Sequence, residues 1–336
     1  MISTADAKRP LFVGVDVGGT NIKIGVVDDD GYTLAFDSIA TLQENGVEDA
    51  VRRIGDATTA LLNSVSLAWN DVTAVGLATP GTMDIPTGMI LEPPNMPYWR
   101  HFPIRDRLSE QIGKTVVFSN DANAAAFGEW WVGTGQQFSS IVLLTLGTGV
   151  GGGIMLGKLS IDGENSHGAE CGHILIDYQD SARICSCGQR GHLEAYASAT
   201  ALVKRTEEAL LSDRDSSLRG RLDAGEELTT RMLAEEAHAG DVLSQQLIDE
   251  TGVYLSAGIL SLVHTIDPDA VILGGAMNFG GHQTDVGRRF LQRIRDRVYA
   301  RTFPAIAENL VVDYASLGGD AGYLGAAGLA REKVTA

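Results

Sequence analysis

The amino-acid sequence predicts an α/β protein built from two related halves. Three observations carry that expectation. A strand–glycine turn–strand pattern occurs at LFVGVDVGGTNIKIGVV and again, from Ser140, at SSIVLLTLGTGVGGGIML. Each copy precedes segments that alternate between strand-like and helical periodicity, the mark of a layered α/β fold. The 336 residues suffice for about two domains, each long enough to bury its own core. Two copies so far apart are too few for a solenoid.

Residues 1–10 read as a loose tail. After the first glycines, Ile22, Ile24 and Val26 alternate with Lys23 and Gly25, the period-2 signature of a strand. Dinucleotide-binding and Walker loops lead from glycine into a helix, so this hairpin belongs to neither. DDDG at 28–31 turns the chain into a third strand, YTLAFDSIA. Glu48 to Trp69 is helical, with Val51, Ile54, Leu61, Leu62 and Val65 on one face and Thr58 interrupting the stripe. AVGLATPG, closing at Gly81, is a buried strand with a Pro-Gly turn, and MDIPTGMILEPPNMPYW is a proline-rich loop. Ile104–Ile112 is a helix. TVVFSNDANAAAFGEWW then runs from strand into helix, with Asn120 and Asp121 at the junction, where Asn and Asp are favoured caps.

The second hairpin leads into Gly168–Tyr196, which holds two glutamates, two histidines and all three cysteines. Helix follows over Ala197–Leu211. Ser212–Glu227 is polar and charged and reads as an exposed connection. Met232–Ala239 and Val242–His264 are helices, the second apolar enough to be either a core helix or a subunit contact. DPDAVILGGAMN is a strand with a glycine turn, Arg288–Tyr299 a basic amphipathic helix, NLVVDYASL a last strand and Ala321–Lys333 a closing helix.

A net charge of −17 opposes a phosphate-backbone partner or an anionic membrane surface. No apolar run reaches the roughly 20 residues of a membrane span, and the N-terminus has no signal-peptide order. Three cysteines, two of them in C-x-C spacing, suit a reducing cytoplasm better than a disulfide framework. The expectation is a cytoplasmic protein without nucleic-acid or membrane partners.

Cys185, Cys187, His192 and His173 offer the thiolates and imidazoles of a closed tetrahedral zinc site. Cys171 and His167 are rival ligands, although a small buried hydrophobe and an exposed loop residue are the plainer readings. Gly18-Gly19-Thr20, Gly147-Thr148-Gly149 and Gly274-Gly275 each fit a turn whose backbone N–H groups wrap an anion. Tight hairpins, however, want glycine for their own sake. Asp16 stands within reach of a phosphate-bound Mg²⁺, or else caps the turn. Asn120-Asp121 fits a hydroxyl-activating pair, with Asp121 as proton acceptor, or else a plain helix cap.

VDVGGTNIKIGVVD, SNDANAAAFGE, LGTGVGGG, GAECGH followed by CSCGQRGHLEAYAS, and VILGG occur in the order that resembles the ROK family of bacterial sugar kinases, from about Leu11 to Leu329. Among its members the chain is most similar to the glucokinases. The resemblance implies two ribonuclease H-like α/β domains of the actin, hexokinase and heat-shock-chaperone ATPase type around a central cleft. It places the first domain at 11–120, closed by a helix at 318–336, and the second at 121–317, carrying the zinc and sugar segment 168–196. It implies that Asp16, Gly18, Gly19, Thr20, Asn21, Lys23, Gly147, Thr148, Gly149 and Gly151 hold the phosphates of Mg²⁺-ATP. Asp16 would hold the Mg²⁺, and Gly274 and Gly275 would lie near the adenosine. Asp121 would be the general base, and Gly81, Asn95, Asn120, Asp121, Glu170, His173 and Glu194 would bind the sugar. Where the family has a third zinc cysteine this chain has His192, so the implied set is His173, Cys185, Cys187 and His192, a structural site with no open position.

The activity so implied is ATP-dependent phosphorylation of a hexose, glucose to glucose 6-phosphate first, in a homodimer or homotetramer. Kinases for N-acylmannosamine, fructose or allose share every motif quoted, and polyphosphate is an alternative donor. Sugar-responsive repressors form another branch of the family. Only about ten residues precede the first strand here, short of a helix-turn-helix module.

Overall fold

The computed structural model describes residues 1–93, 96–212 and 214–335. The first glycine hairpin becomes β1 (Leu11–Val17) and β2 (Asn21–Val27), antiparallel to each other, with β3 (Thr33–Ala40) antiparallel beyond β2. Helix α1 (Val47–Ser64) buries Val51, Ile54, Leu61 and Leu62. Thr58, which breaks that stripe in the sequence, is buried too, because its hydroxyl donates to the Ile54 carbonyl at 2.7 Å and needs no outside partner.

Strand β4 (Val72–Thr79) runs parallel to β1. The proline-rich stretch read as loop contains a small hairpin, β5 (Met83–Asp84) and β6 (Met89–Ile90), turned at Gly88 with φ +74°. Helix α2 (Ile104–Ile112), β7 (Val116–Asn120) parallel to β4, and α3 (Asp121–Val132) complete the first run. The sheet order is β3-β2-β1-β4-β7.

The pattern then repeats. β8 (Ser140–Leu146), β9 (Val150–Leu156) and β10 (Leu159–Ser160) form the second meander. After α4 (Glu194–Ala197), α5 (Ala199–Leu211), α6 (Leu218–Asp223), α7 (Thr230–His238) and α8 (Val242–Ile266), β11 (Ala270–Gly274) pairs parallel with β8. Helices α9 (Asp285–Tyr299) and α10 (Pro304–Ala307) lead to β12 (Val311–Tyr314), parallel to β11, and α11 (Ala321–Thr335) ends the chain. The second sheet, β10-β9-β8-β11-β12, has the same order as the first: third strand, second, first, fourth, fifth. The two halves expected from the repeated hairpin are two copies of one topology.

The chain divides into two compact units, one of Met1–Ser139, Gly153–Ala169 and Leu317–Ala336, the other of Ser140–Gly152 and Glu170–Ser316. The crossing falls at Ser139/Ser140 instead of after residue 120, because α3 lies on α11 within the first unit. There a Cβ on Gly325 would stand 1.6 Å from the Ala124 carbonyl oxygen. Helix α11 also lies on the first sheet, where a Cβ on Gly14 or Gly76 would fall 1.8 Å from the carbonyl oxygens of Tyr323 and Ala326 respectively. Helix α8 buries Leu247, Leu255, Ile259 and Val263 and packs on α9, so its apolar face is core.

Two expectations need correction. Residues 1–10 are tied down, since Ile2 N–H donates to the Thr33 carbonyl and Lys8 N–H to Asp28 Oδ2, each at 3.0 Å. The polar stretch 212–227 contains α6, whose Arg221 meets Glu226 at 2.6 Å, Glu235 at 2.7 Å and Glu236 at 3.3 Å. Its charges pair with each other and with the next helix.

Candidate functional site

In the first unit, parallel β1, β4 and β7 deliver their carboxyl ends to one edge of the sheet. In open α/β sheets ligands gather at that edge. Asp16 stands at the end of β1, the Gly81 turn follows β4, and Asn120-Asp121 lie where β7 becomes α3.

Asp16 is half-buried, directly across the β1–β2 ladder from Lys23 and against Gly322 at the start of α11. Burial pushes its carboxyl up to about 6, against the opposing pull of the Lys23 ammonium. The Lys23 ammonium donates to the Gly319 carbonyl. In the adjoining turn Gly18 N–H donates to the Asn21 carbonyl at 2.9 Å, and Thr41 Oγ1 to the Gly18 carbonyl at 2.6 Å.

Among the described residues a Cβ on Gly19 would meet nothing within 4 Å, and its φ is not positive. Neither backbone geometry nor packing within the chain requires glycine there, so the turn's own needs do not explain it. The backbone there is open to close approach by a ligand.

Asn120 is the helix cap: its Oδ1 accepts from Ala122 N–H at 2.9 Å and Asn123 N–H at 3.3 Å. Asp121 occupies the first helical position, where its Oδ1 also accepts from Ala122 N–H at 2.9 Å. The capping role therefore falls to Asn120. Gly81 has φ +89°, and a Cβ there would lie 2.4 Å from Pro93 Cα, so the fold itself demands that glycine. Asn95 lies outside the described residues.

In the second unit, β8 and β11 end side by side, Gly274 in register with Thr145. This sets the Gly147–Gly149 turn beside Gly274-Gly275. Gly147 N–H donates to the Gly149 carbonyl at 3.0 Å, and a Cβ on Gly147 would again meet nothing within 4 Å. Gly275 differs, since its φ of +88° and a 2.3 Å approach to the Leu146 carbonyl oxygen require it structurally. Beyond Gly275 opens a groove of about 830 Å³ lined by Ala276, Met277 and Phe279 on one side and Thr229, Arg231 and His238 on the other. Sequence reading missed the α7 wall, because nothing in Thr229–His238 marks it apart from an ordinary helix start. Gly151 lies in β9, half-buried, just past the turn.

The ligating atoms of His173, Cys185, Cys187 and His192 lie within 4.8 Å of one another. His173 Nδ1 is 3.2 Å from His192 Nδ1 and 3.8 Å from Cys185 Sγ, and Cys187 Sγ is 3.3 Å from His192 Nδ1. Two thiols and two imidazoles at these separations fit a tetrahedral zinc ion. Burial and the neighbouring His173 lower the proton affinity of His192, which favours the neutral, ligating imidazole. Burial holds the Cys185 thiol up at about 11, so a thiolate there calls for a cation beside it.

Cys171 is outside the cluster; it is buried, and its thiol is pushed up to about 12 by burial and then by Glu170. His167 is exposed, its ring on the Asn165 carbonyl. With Nδ1 in the cluster, His173 turns Nε2 toward Glu170 Oε2 at 3.9 Å.

Glu194 links the metal loop to the glycine turn. Its Oε1 accepts from Ser186 Oγ at 2.5 Å and its Oε2 from Val150 N–H at 3.1 Å, and a Cβ on Gly149 would lie 2.3 Å from Oε2. Ser186 and Val150 were not singled out from the sequence, because the contact joins residues far apart in the chain. Asp16, Gly81, Asn120 and Asp121 thus belong to the first unit. Glu170, His173, Glu194, the metal set and the second glycine turn belong to the other.

The ROK family matches residues 12–333. A glucokinase of Thermotoga maritima is 33% identical over 322 residues, 96% of this chain and 98% of that protein. A ROK hexokinase structure from Thermus thermophilus superposes with a TM-score of 0.81 at 32% identity, covering 97% of this chain and 99% of that one. A ROK glucokinase from Streptomyces griseus, solved with glucose and AMPPNP, gives 0.74 at 33%, covering 96% and 99%. A xylose repressor of Bacillus subtilis aligns at 26% identity over 95% of this chain and 76% of its own length.

Proposed function

This chain belongs to the ROK family, and from that premise we propose that it is an ATP-dependent hexose kinase, with glucose phosphorylated at O6 and Asp121 as the general base. The observation that carries the reading is the pair of glycine turns, at Gly19 and Gly147, whose glycines no backbone angle or packing contact within the chain requires. Phosphate groups account for both. The names of the relatives, a glucokinase and a hexokinase, support the sugar.

Phosphoryl transfer asks little covalent chemistry of a protein; it needs alignment, charge neutralisation and a proton acceptor. The sugar hydroxyl oxygen attacks the γ-phosphorus as the bond to the β–γ bridging oxygen breaks. The hydroxyl proton passes to the Asp121 carboxylate, which the positive end of α3 favours in its charged form. Backbone N–H groups of either turn would face phosphate oxygens, and Asp16 would hold Mg²⁺, which would supply charge neutralisation. The groove beyond Gly275, about 830 Å³, would take the adenosine. Glu170 would accept from a sugar hydroxyl and His173 Nε2–H would donate to a sugar oxygen, and Asn120 and Gly81 are assigned to the sugar as well. His173, Cys185, Cys187 and His192 would hold a structural zinc ion, since four protein ligands leave no open position, and the ion would fix the loop that carries Glu170 and Glu194. A homodimer or homotetramer is expected from the family and is measured by sedimentation velocity.

The direct test is ADP release over a panel of hexoses, with ATP set against polyphosphate as donor. Glucose with ATP is expected to give the highest kcat/KM, and ADP release unaffected by every sugar would remove the kinase reading. Asp121→Asn is expected to lose about 10²–10⁴ in kcat while glucose binding by calorimetry stays within a few-fold. Undiminished turnover would refute its role as base.

A further inference from the structure

We propose that the second unit carries another anion site, sharing no lining residue with either glycine turn, which takes a small phosphate-bearing molecule at Arg297 and Arg301. A cavity of about 290 Å³ lies between α8 and α9, lined by Arg297, Arg301, Tyr254, Leu260, Tyr196 and Asp177 among others. That volume lies at the small end of ligand pockets and suits a monophosphate better than a nucleotide triphosphate.

The charges here are unusual for this molecule. In a chain of net charge −17, Arg293, Arg297 and Arg301 recur every fourth residue. Like charges at that spacing repel, Arg293 and Arg297 on α9 and Arg301 just past its end. Among the described residues no carboxylate lies within ion-pair distance of Arg297 or Arg301, whereas Arg288, Arg289 and Arg295 of the same helix are all paired. Arg297 Nε is enclosed and has no hydrogen-bond partner among the described residues, a state that is unfavourable unless something fills it.

Among the described residues the cavity wall holds one carboxylate, whose oxygens already accept hydrogen bonds within the chain. Asp177 accepts from Tyr196 Oη at 2.6 Å and from Gln179 N–H at 3.1 Å. The aromatic wall is fixed as well: the Tyr254 ring lies 5.0 Å from that of Tyr196 and has the Arg205 guanidinium 4.9 Å over it. Two guanidinium forks supply the bidentate donors a phosphate dianion takes. Tyr254 and Leu260 offer an apolar seat for a sugar body.

The probes are inorganic phosphate and a hexose monophosphate, titrated calorimetrically into the full chain and into an R297Q/R301Q variant at low ionic strength. Wild type is expected to bind one more equivalent than the variant, and to bind the hexose monophosphate more tightly than phosphate. Equal affinity for the two would identify free phosphate as the ligand of the same site. Identical stoichiometry and affinity in wild type and variant would place all binding at the glycine turns and overturn the proposal. So would absence of binding together with a larger sedimenting assembly in wild type than in the variant, since the arginines would then face an acidic protein surface. Should the double variant fail to fold, R301Q alone, at an exposed position, makes the same comparison with an expected affinity loss of about tenfold.

Discussion

At the scale of single residues, glycine and aspartate separate what the fold needs from what a ligand needs. A methyl group at Gly19 has open space and an ordinary φ. Gly19→Ala is therefore expected to leave thermal unfolding unchanged or raise it slightly, by about 0.4–1 kcal/mol, while KM for ATP rises at least about tenfold. A matched loss of stability would mean that the glycine serves the hairpin.

Asp16 makes a prediction about pH. Its carboxyl is raised to about 6 in the fold, against roughly 4 in an unfolded chain. The folded state then holds the proton more tightly, so this group's contribution to stability is present below about 4 and is lost as pH rises through about 6. Asp16→Asn is expected to raise the melting temperature at pH 8, leave it little changed at pH 4.5, and abolish Mg²⁺-dependent nucleotide binding. A variant that melts lower at pH 8 than wild type would show the carboxylate to be structural.

Among the elements, the loop between α4 and the second glycine hairpin joins two tasks through Glu194, which accepts from Ser186 on one side and Val150 N–H on the other. Removing zinc with a chelator is expected to lower both the melting temperature and sugar affinity. His192→Ala should lose most bound zinc by elemental analysis, because three ligands hold a structural zinc far less firmly than four. Intact activity in zinc-free protein would uncouple the loop from the sugar. At α3, Asn120→Ala removes the two cap bonds and should cost about 1 kcal/mol of stability, measured by denaturant unfolding.

For the molecule as a whole, the first unit depends on its last helix. Gly14, Gly76, Gly128 and Gly325 let α11 approach the sheet and α3 at distances no Cβ would permit. Gly325→Val should therefore abolish soluble expression or unfold the unit, since the added atoms meet the Ala124 backbone and not a movable side chain. Recovery of a stable, soluble variant would show that α3 and α11 can separate at little cost.

The repeated hairpin, the period-2 strand after each glycine pair and the compact Cys/His segment were legible because each is local: spacing along the chain sets them. So was the meeting of the four candidate ligands, which lie within twenty residues (173–192). Tertiary structure decided matters that depend on partners distant in sequence. It buried Thr58 by a bond to its own helix, tied down residues 1–10 through Thr33 and Asp28, and moved α3 to the first unit through α11. It also gave the cap to Asn120 over Asp121, and it showed which glycines packing requires and which it does not. The physical reason is the same in each case. Periodicity records which face of an element is buried, but only the packed chain shows which atom stands at the other side of a contact.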